Sequence, residues 1–323
     1  MEDIIKKFEG LRVLVIGDVM IDAYLIGHVD RISPEAPVPV VAVQRKDYRL
    51  GGAANVALNL QALGAKPILC SVIGTDQEGN DLIQLLENAN ISCSGIIQSE
   101  ERKTSSKTRV MAQNHQMIRI DNEQTNLLSD YDTYVLSQRI LNDLLPGVDV
   151  VLFEDYDKGV ISETLIEHVV QKAAHLGKKV VVDPKHRNFM FYKNVDLFKP
   201  NLKELKEGFQ VNTDPSMRDE FELAIKKLFK ELQIKNILLT MSERGVMISD
   251  GNTFEYFPAH LRKIADVSGA GDSVISVASL CVALGVSNKE TALLSNLAGG
   301  LVCEEVGVVP IDLNTLRREA AKL

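Results

Sequence analysis

Residues Asp266-Val267-Ser268-Gly269-Ala270-Gly271-Asp272 run straight into the apolar-periodic stretch Ser273 to Leu284, the pattern of a helix whose start is opened by glycine. Such a start exposes main-chain N–H groups without helical partners and the positive end of the helix dipole, so it suits an anion such as a phosphate. Gly269, Ala270 and Gly271 let that anion approach the backbone closely. Asp272 falls in the first turn, within reach of an attacking hydroxyl whose proton it can accept. The chemistry this favours is phosphoryl transfer. A tight turn followed by a capping aspartate has the same pattern, and the segment alone does not separate the two.

Other segments carry polar groups suited to the same reaction. Gly17-Asp18 closes an apolar run, with Asp22 four residues on; carboxylates at a strand end can accept hydrogen bonds from sugar hydroxyls, or simply form turns. Gly51-Gly52 precedes a helical pattern with Asn55 in its first turn, a glycine loop open to a ligand and an amide able to donate and accept. Asn201 and Glu204 lie three apart on one helix face. They can order water around Mg²⁺ or close a capping box, and spacing does not choose between these. Arg109, Arg119, Lys158 and Lys185 are cations near expected strand ends or in the segments between them, where an anionic substrate would meet them. The P-loop pattern GxxxxGK[ST] is absent, Gly269 to Val274 does not complete a dinucleotide fingerprint, and HExxH and GxSxG are missing.

The elements that must position these groups follow from hydrophobic periodicity. Leu11–Ile16, Pro67–Ile73, Asp149–Phe153, Lys179–Val182 and Asn236–Thr240 read as buried strands. Helical patterns at Ala54–Leu63, Gly79–Asn90, Ser162–Leu176 and Met217–Leu232 alternate with them, which argues an α/β doubly wound sheet covered on both faces. Residues 23–49 and 94–121 break the alternation with period-2 runs such as Val38–Val43 and Lys107–Ala112, expected to pair as a small β-sheet lid over the strand ends. No linker or repeat divides the 323 residues, so 1–323 reads as one domain.

With 45% apolar and 25% charged residues the chain has the composition of a globular protein, and a net charge of −8 argues against nucleic acid as a partner. Four cysteines without metal-ligand spacing read as free thiols. No run approaches the ~18 apolar residues of a membrane span, and residues 1–10 lack a signal core, so a cytoplasmic protein without a membrane partner is expected.

In this order, Gly17-Asp18, Gly51-Gly52 to Asn55, Asn201 to Glu204 and Gly269-Ala270-Gly271-Asp272 resemble the ribokinase-like (PfkB) carbohydrate kinases, from about residue 11 to about residue 305. The resemblance implies a three-layer αβα sandwich with a mostly parallel central sheet, a small β lid through which homodimers often form, and an ATP-dependent phosphotransferase with Asp272 as base. Position by position it implies that Asp18, Asp22, Gly51, Gly52 and Asn55 hold sugar hydroxyls, with Arg109, Arg119, Lys158 and Lys185 near a substrate phosphate. It further implies that Asn201 and Glu204 organise Mg²⁺ through water, that Thr240, Ser242, Glu243, Gly245 and Asn296 lie along the nucleotide, and that a monovalent cation can sit near Asp266 and Ser268.

A closer resemblance, in Gly17 to Asp22, Arg31 to Val40, Ile118 to Asp121 and Asp183-Pro184-Lys185, is to the D-glycero-D-manno-heptose 7-phosphate kinases of lipopolysaccharide core synthesis, some of which carry a nucleotidyltransferase domain as well. His186, Asn188 and Gln113 depart from that pattern, all on the substrate side. A kinase for another sugar, sugar phosphate or nucleoside stands as the alternative. So does a non-catalytic sugar or nucleotide sensor, although a pure binder has no need of Asp272. An NAD-dependent oxidoreductase is disfavoured by the missing fingerprint after the first strand.

Overall fold

The computed structural model describes residues 1–113, 115–260 and 264–323, so Asn114 of the expected lid lies outside the described residues. In chain order the strands are β1 (Arg12–Gly17), β2 (Val19–Ile32), β3 (Pro39–Gly52), β4 (Lys66–Gly74), β5 (Gly95–Ser99), β6 (Ser105–Ala112), β7 (His115–Asn122), β8 (Val150–Glu154), β9 (Lys179–Asp183), β10 (Leu197–Phe198), β11 (Ile237–Thr240), β12 (Val246–Ser249) and β13 (Phe254–Phe257). The α-helices are α1 (Glu2–Lys6), α2 (Ala53–Ala62), α3 (Gln77–Asn88), α4 (Asp130–Gln138), α5 (Glu163–His175), α6 (Leu202–Phe209), α7 (Arg218–Leu232), α8 (Ala270–Leu284), α9 (Asn288–Val302) and α10 (Leu313–Ala320).

The large sheet has the order β13-β12-β11-β10-β9-β8-β1-β4-β5. Its strands are parallel from β5 across to β11, and β12 and β13 add an antiparallel edge. Unbroken apolar runs such as Val13–Ile16 and Val150–Phe153 make these strands because both of their faces are covered. Alternate side chains serve opposite layers. Val13 and Val15 pack with α2, α8 and α9, whereas Leu14 and Ile16 pack with α5 and α7, giving the three-layer α/β arrangement expected from the sequence. Because the central strands are parallel, their C-terminal ends share one edge, where Asp18, Glu154, Asp183, Lys199 and Thr240 follow or close strands.

The second sheet, β3-β2-β6-β7, grows out of that edge. β2 begins one residue after β1, and β3 runs directly into α2. Of the stretch 94–121, Gly95–Ser99 forms the edge strand of the large sheet instead, and the small sheet takes only β6 and β7. Register sets its two faces, since directly paired residues point the same way. Arg49, Asp22, Lys107 and Asp121 form one row, and Asp47, Tyr24, Arg109 and Arg119 the next. The opposite face is apolar. Its base, with Ile21, Ala23 and Leu50, is packed into the core, and farther out Tyr48, Ile118 and Ile120 are 43%, 56% and 53% exposed. Among the described residues no helix is long and apolar enough to cross a membrane.

Gly17 shows how tightly the central strands are fixed. It pairs with Glu154 across β1 and β8, and a Cβ there would lie 2.0 Å from the Glu154 carbonyl oxygen. Gly17→Ala is expected to destabilise the fold by about 1–3 kcal/mol through overpacking, read from urea unfolding midpoints. An unchanged midpoint would contradict this close approach.

Candidate active site

The start of α8 is built as the glycines suggest. Gly269 is the N-cap in the left-handed region at φ +80°, where a side chain would be strained, and a Cβ there would also sit 3.3 Å from Asn55 Nδ2. Asp272 is the third residue of the helix and is only 7% exposed. Asn55 Nδ2, from the first turn of α2, donates to Asp272 Oδ2 at 2.5 Å, and Tyr156 Oη, from the loop after β8, donates to Oδ1 at 3.0 Å. Both carboxylate oxygens are therefore held, by two different elements. Ala270 N–H is turned back to the Val267 carbonyl at 3.3 Å.

A helix N-terminus favours an ionised carboxylate, so a low pKa is the expectation from sequence. The site reverses it. Burial pushes Asp272 above its ordinary value of 3.8, and the bonds from Asn55 and Tyr156, with Lys199 and Lys185 nearby, only partly offset that. The result is a better proton acceptor than an exposed aspartate.

Toward the small sheet, Asp18 and Asp22 do different jobs. Asp18 is 1% exposed, and its carboxylate accepts main-chain N–H bonds from Tyr156 (2.9 Å), Lys158 (3.0 Å) and Val160 (3.1 Å). It pins the loop that delivers Tyr156. Asp22 carries an ion pair with Arg109, and a Cβ on Gly51 would meet Asp22 Oδ2 at 2.5 Å, so the diglycine packs directly over this carboxylate. Gly52, at φ +59°, closes on the Asp18 carbonyl and leads into α2 and Asn55. Lys158 Nζ is bonded to Glu123. Arg119 stands beside Arg109 in register but spends its guanidinium on Asp121.

On the other side, the capping box is what Asn201 and Glu204 form. Asn201 Oδ1 accepts from Glu204 N, and Glu204 Oε2 accepts from Asn201 N. Glu204 Oε1 takes the ammonium of Lys185, whose Nζ also lies 5.3 Å from the Tyr156 ring centroid. Thr240 closes β11 and bridges to Asn201. Ser242 and Glu243 fill the following turn, which Gly245 ends with a Cβ position 2.0 Å from the Phe257 carbonyl. Asn296, on α9, donates to the Pro258 carbonyl at 2.8 Å. Pro258, Phe257, Tyr256, Met241, Arg218 and Arg244 help line a neighbouring cavity of about 330 Å³. Asp266 accepts from Ser268 N, Ser268 Oγ and Gly307 N, so its oxygens tie this loop to the turn after α9.

Several residues at the site receive no role from the sequence reading, although Asp183 lies in one of its motifs. Glu154 and Asp183 close β8 and β9 as register partners, and Glu154 Oε2 and Asp183 Oδ1 are buried with no hydrogen bond among the described residues. Lys199, 2% exposed, pairs with the other Asp183 oxygen at 2.7 Å, and its Nζ lies 3.8 Å from where a Cβ on Gly271 would be. Burial raises Asp183 to about 6 against the pull of Lys199. Burial together with the like charges of Asp183 and Asp272 drives Glu154 well above the carboxylate range. Being the last residue of a buried strand was the available signal for Glu154, and Asp183 had the Asp183-Pro184-Lys185 motif besides.

Residues 11–315 match the pfkB family carbohydrate kinase. The bifunctional protein HldE of Sulfurimonas denitrificans is 37% identical over 99% of this chain, and that of Chromohalobacter salexigens is 41% identical over 95%. The chain spans 66% and 63% of the length of those relatives. Two solved structures share the fold at low identity. Escherichia coli phosphofructokinase-2 in complex with substrates and products has a TM-score of 0.79 at 18% identity, covering 97% of this chain and 99% of that one. Arabidopsis thaliana ribokinase complexed with ribose and ATP has a TM-score of 0.72 at 16% identity, covering 96% and 99%. With a match that extends from the first strand through the loop and helix of Asp272 to the last helix, the chain belongs to the pfkB family of carbohydrate kinases.

Proposed function

We propose that this chain transfers the γ-phosphoryl group of ATP to a sugar hydroxyl, with D-glycero-D-manno-heptose 7-phosphate as acceptor and its 1,7-bisphosphate as product. The observation that carries the phosphotransferase reading is Asp272, a buried carboxylate held by Asn55 and Tyr156 at a glycine-opened helix start. In the reaction Asp272 accepts the proton of the acceptor hydroxyl, whose oxygen bonds to the γ-phosphorus as the bond to the β,γ-bridging oxygen breaks and ADP leaves. The glycine-rich turn and the dipole of α8 face the charge that develops on the transferred group, and Lys199 adds a buried cation beside Gly271.

Mg²⁺ suits the donor set beside this turn, which holds hard carboxylate oxygens, two of them buried and unbonded. Asn201 and Glu204 would hold it through water, near Glu154 and Asp183, and it would neutralise charge on the nucleotide phosphates. Thr240, Ser242, Glu243, Gly245 and Asn296 fit the nucleoside end, close to the cavity under Pro258. A monovalent cation near Asp266 and Ser268 would compete with the bonds that loop already makes.

The heptose phosphate is favoured by the segment Arg31 to Val40 and by Asp183-Pro184-Lys185. The departures from that pattern lie away from the reacting groups. Asn188 is buried and donates to Asp155 and to the Ile161 carbonyl, His186 faces solvent, and Gln113 sits in the turn region at the end of β6. The apolar outer face of the small sheet, with Tyr48, Ile118 and Ile120, fits a homodimer formed lid to lid.

Asp272→Asn is expected to lower kcat by ~10²–10⁴ with an unchanged unfolding midpoint, measured by ADP release with the heptose phosphate. Near wild-type turnover would remove Asp272 as the base. Because the ionised form is the active one and burial raises its pKa, kcat should fall toward acid with a midpoint above 3.8. Asn55→Ala deletes a bond that favours the charged form, so this limb should move to higher pH; an unmoved or lowered limb contradicts the assignment. Light scattering on Ile118→Lys/Ile120→Lys should report a monomer where the parent is a dimer, and a dimer that persists places the interface elsewhere.

A further inference from the structure

Asp272 is nearly closed to solvent, with a donor on each carboxylate oxygen, so an acceptor hydroxyl reaches it most directly by taking the place of one of them. The two donors are anchored differently. Asn55 is buried on α2, and its own carbonyl takes Asn59 Nδ2 at 3.0 Å, so its amide is fixed with the helix. Tyr156 stands in the loop after β8 and is partly exposed. Its main-chain N–H is tied to Asp18, while its side chain is held by the bond of its hydroxyl to Asp272 and by the ammoniums of Lys185 and Lys107, 5.3 and 5.9 Å from the ring centroid. A turn of this side chain releases the carboxylate while the loop stays where Asp18 holds it. For a sugar the exchange is nearly even, because its hydroxyl restores the hydrogen bond that Tyr156 gives up and its other contacts favour the displaced arrangement. A water molecule brings no such contacts. Left in place, the phenol occupies the position from which water would be deprotonated.

We infer that Tyr156 sets the choice of sugar over water: its hydroxyl keeps Asp272 covered until an acceptor displaces it, so that ATP bound at the glycine turn is not hydrolysed. This rests on the kinase reading above. With the hydroxyl removed, Asp272 Oδ1 lacks its donor in a buried place, and water is the group that restores it. That water gives its proton to Asp272, its oxygen bonds to the γ-phosphorus as the bond to the β,γ-bridging oxygen breaks, and ADP and inorganic phosphate leave.

The test follows ADP and inorganic phosphate release from ATP and Mg²⁺, with and without heptose 7-phosphate. Tyr156→Phe keeps the ring and removes the hydroxyl, and Tyr156→Ala opens the space that the ring fills. Without sugar, both should release inorganic phosphate at least ~10-fold faster than the wild type, the scale of one hydrogen bond to a charged group. For Tyr156→Phe the KM for heptose 7-phosphate should fall ~2–10-fold, since binding no longer breaks a bond. Unmoved hydrolysis with a raised KM is what a tyrosine that only supports the loop would give, and it overturns the inference. Hydrolysis at the wild-type rate in both variants, beside wild-type transfer to heptose 7-phosphate, overturns it as well and leaves the kinase reading standing. So does a wild type that hydrolyses ATP without sugar as fast as it turns over with it. Phosphate release that rises in the variants while the wild type transfers nothing to heptose 7-phosphate supports the inference and removes that acceptor.

Discussion

Burial of the Asp272 carboxylate at the first turn of α8 is the constraint on which the remainder of the site depends. A carboxylate taken out of water is costly unless hydrogen bonds and nearby dipoles replace its hydration. Here the replacements come from three places in the chain: the amide of Asn55 on α2, the hydroxyl of Tyr156 after β8, and the N-terminal end of α8 itself. Each supplier needs its own support. Gly52 turns the chain into α2 at a positive φ, Gly269 does the same for α8, and Asp18 gathers three main-chain N–H groups to hold the loop of Tyr156. Asp18 therefore acts on Asp272 at one remove, as the anchor of the loop that carries Tyr156.

Around this carboxylate the strand ends carry alternating charge. Glu154 and Asp183 sit side by side where β8 and β9 finish, Lys199 and Lys185 answer them, and Glu204 draws Lys185 toward the start of α6. Buried carboxylates this close do not all ionise without more positive charge than two lysines provide, and burial raises Asp183 to about 6 and pushes Glu154 well above its ordinary value. A divalent cation brought in with a nucleotide would supply the missing charge and favour their ionised forms. The small sheet adds Lys107, whose Nζ lies 5.9 Å from the Tyr156 ring centroid, and Lys158 of the loop after β8 is answered by Glu123.

Much of this was legible in the chain. The buried strands and four of the helices follow from unbroken or periodic apolar runs, and the observed bounds of β1, β4, β8, β9 and β11 fall within a residue of the expected ones. The glycine-aspartate start of α8 is readable because backbone geometry demands glycine there. Short elements were less visible: β10 has two residues, and β12 and β13 four each, too few to show a period. Gly95–Ser99 reads as part of the lid because only tertiary pairing puts it on the edge of the large sheet. Side-chain roles were hardest. Spacing leaves Asn201 and Glu204 undecided between a metal and a cap, and the structure shows the cap without deciding the metal; nothing local distinguishes Asp18 as an anchor, or Lys199 and Glu154 as members of the site. The raised pKa of Asp272 is also hidden, since the sequence displays the helix dipole and not the burial that outweighs it.

The central claim is that the glycine turn before α8 receives the transferred phosphoryl group while Asp272 faces the acceptor hydroxyl. A crystal structure with Mg²⁺, a non-hydrolysable ATP analogue and the acceptor sugar tests it most directly. The account predicts the γ-phosphate against the main chain of residues 269–271 and the acceptor hydroxyl hydrogen-bonded to Asp272 in place of Tyr156 or Asn55. A triphosphate bound away from that turn, with the Asp272 carboxylate still closed off by Asn55 and Tyr156, would contradict it.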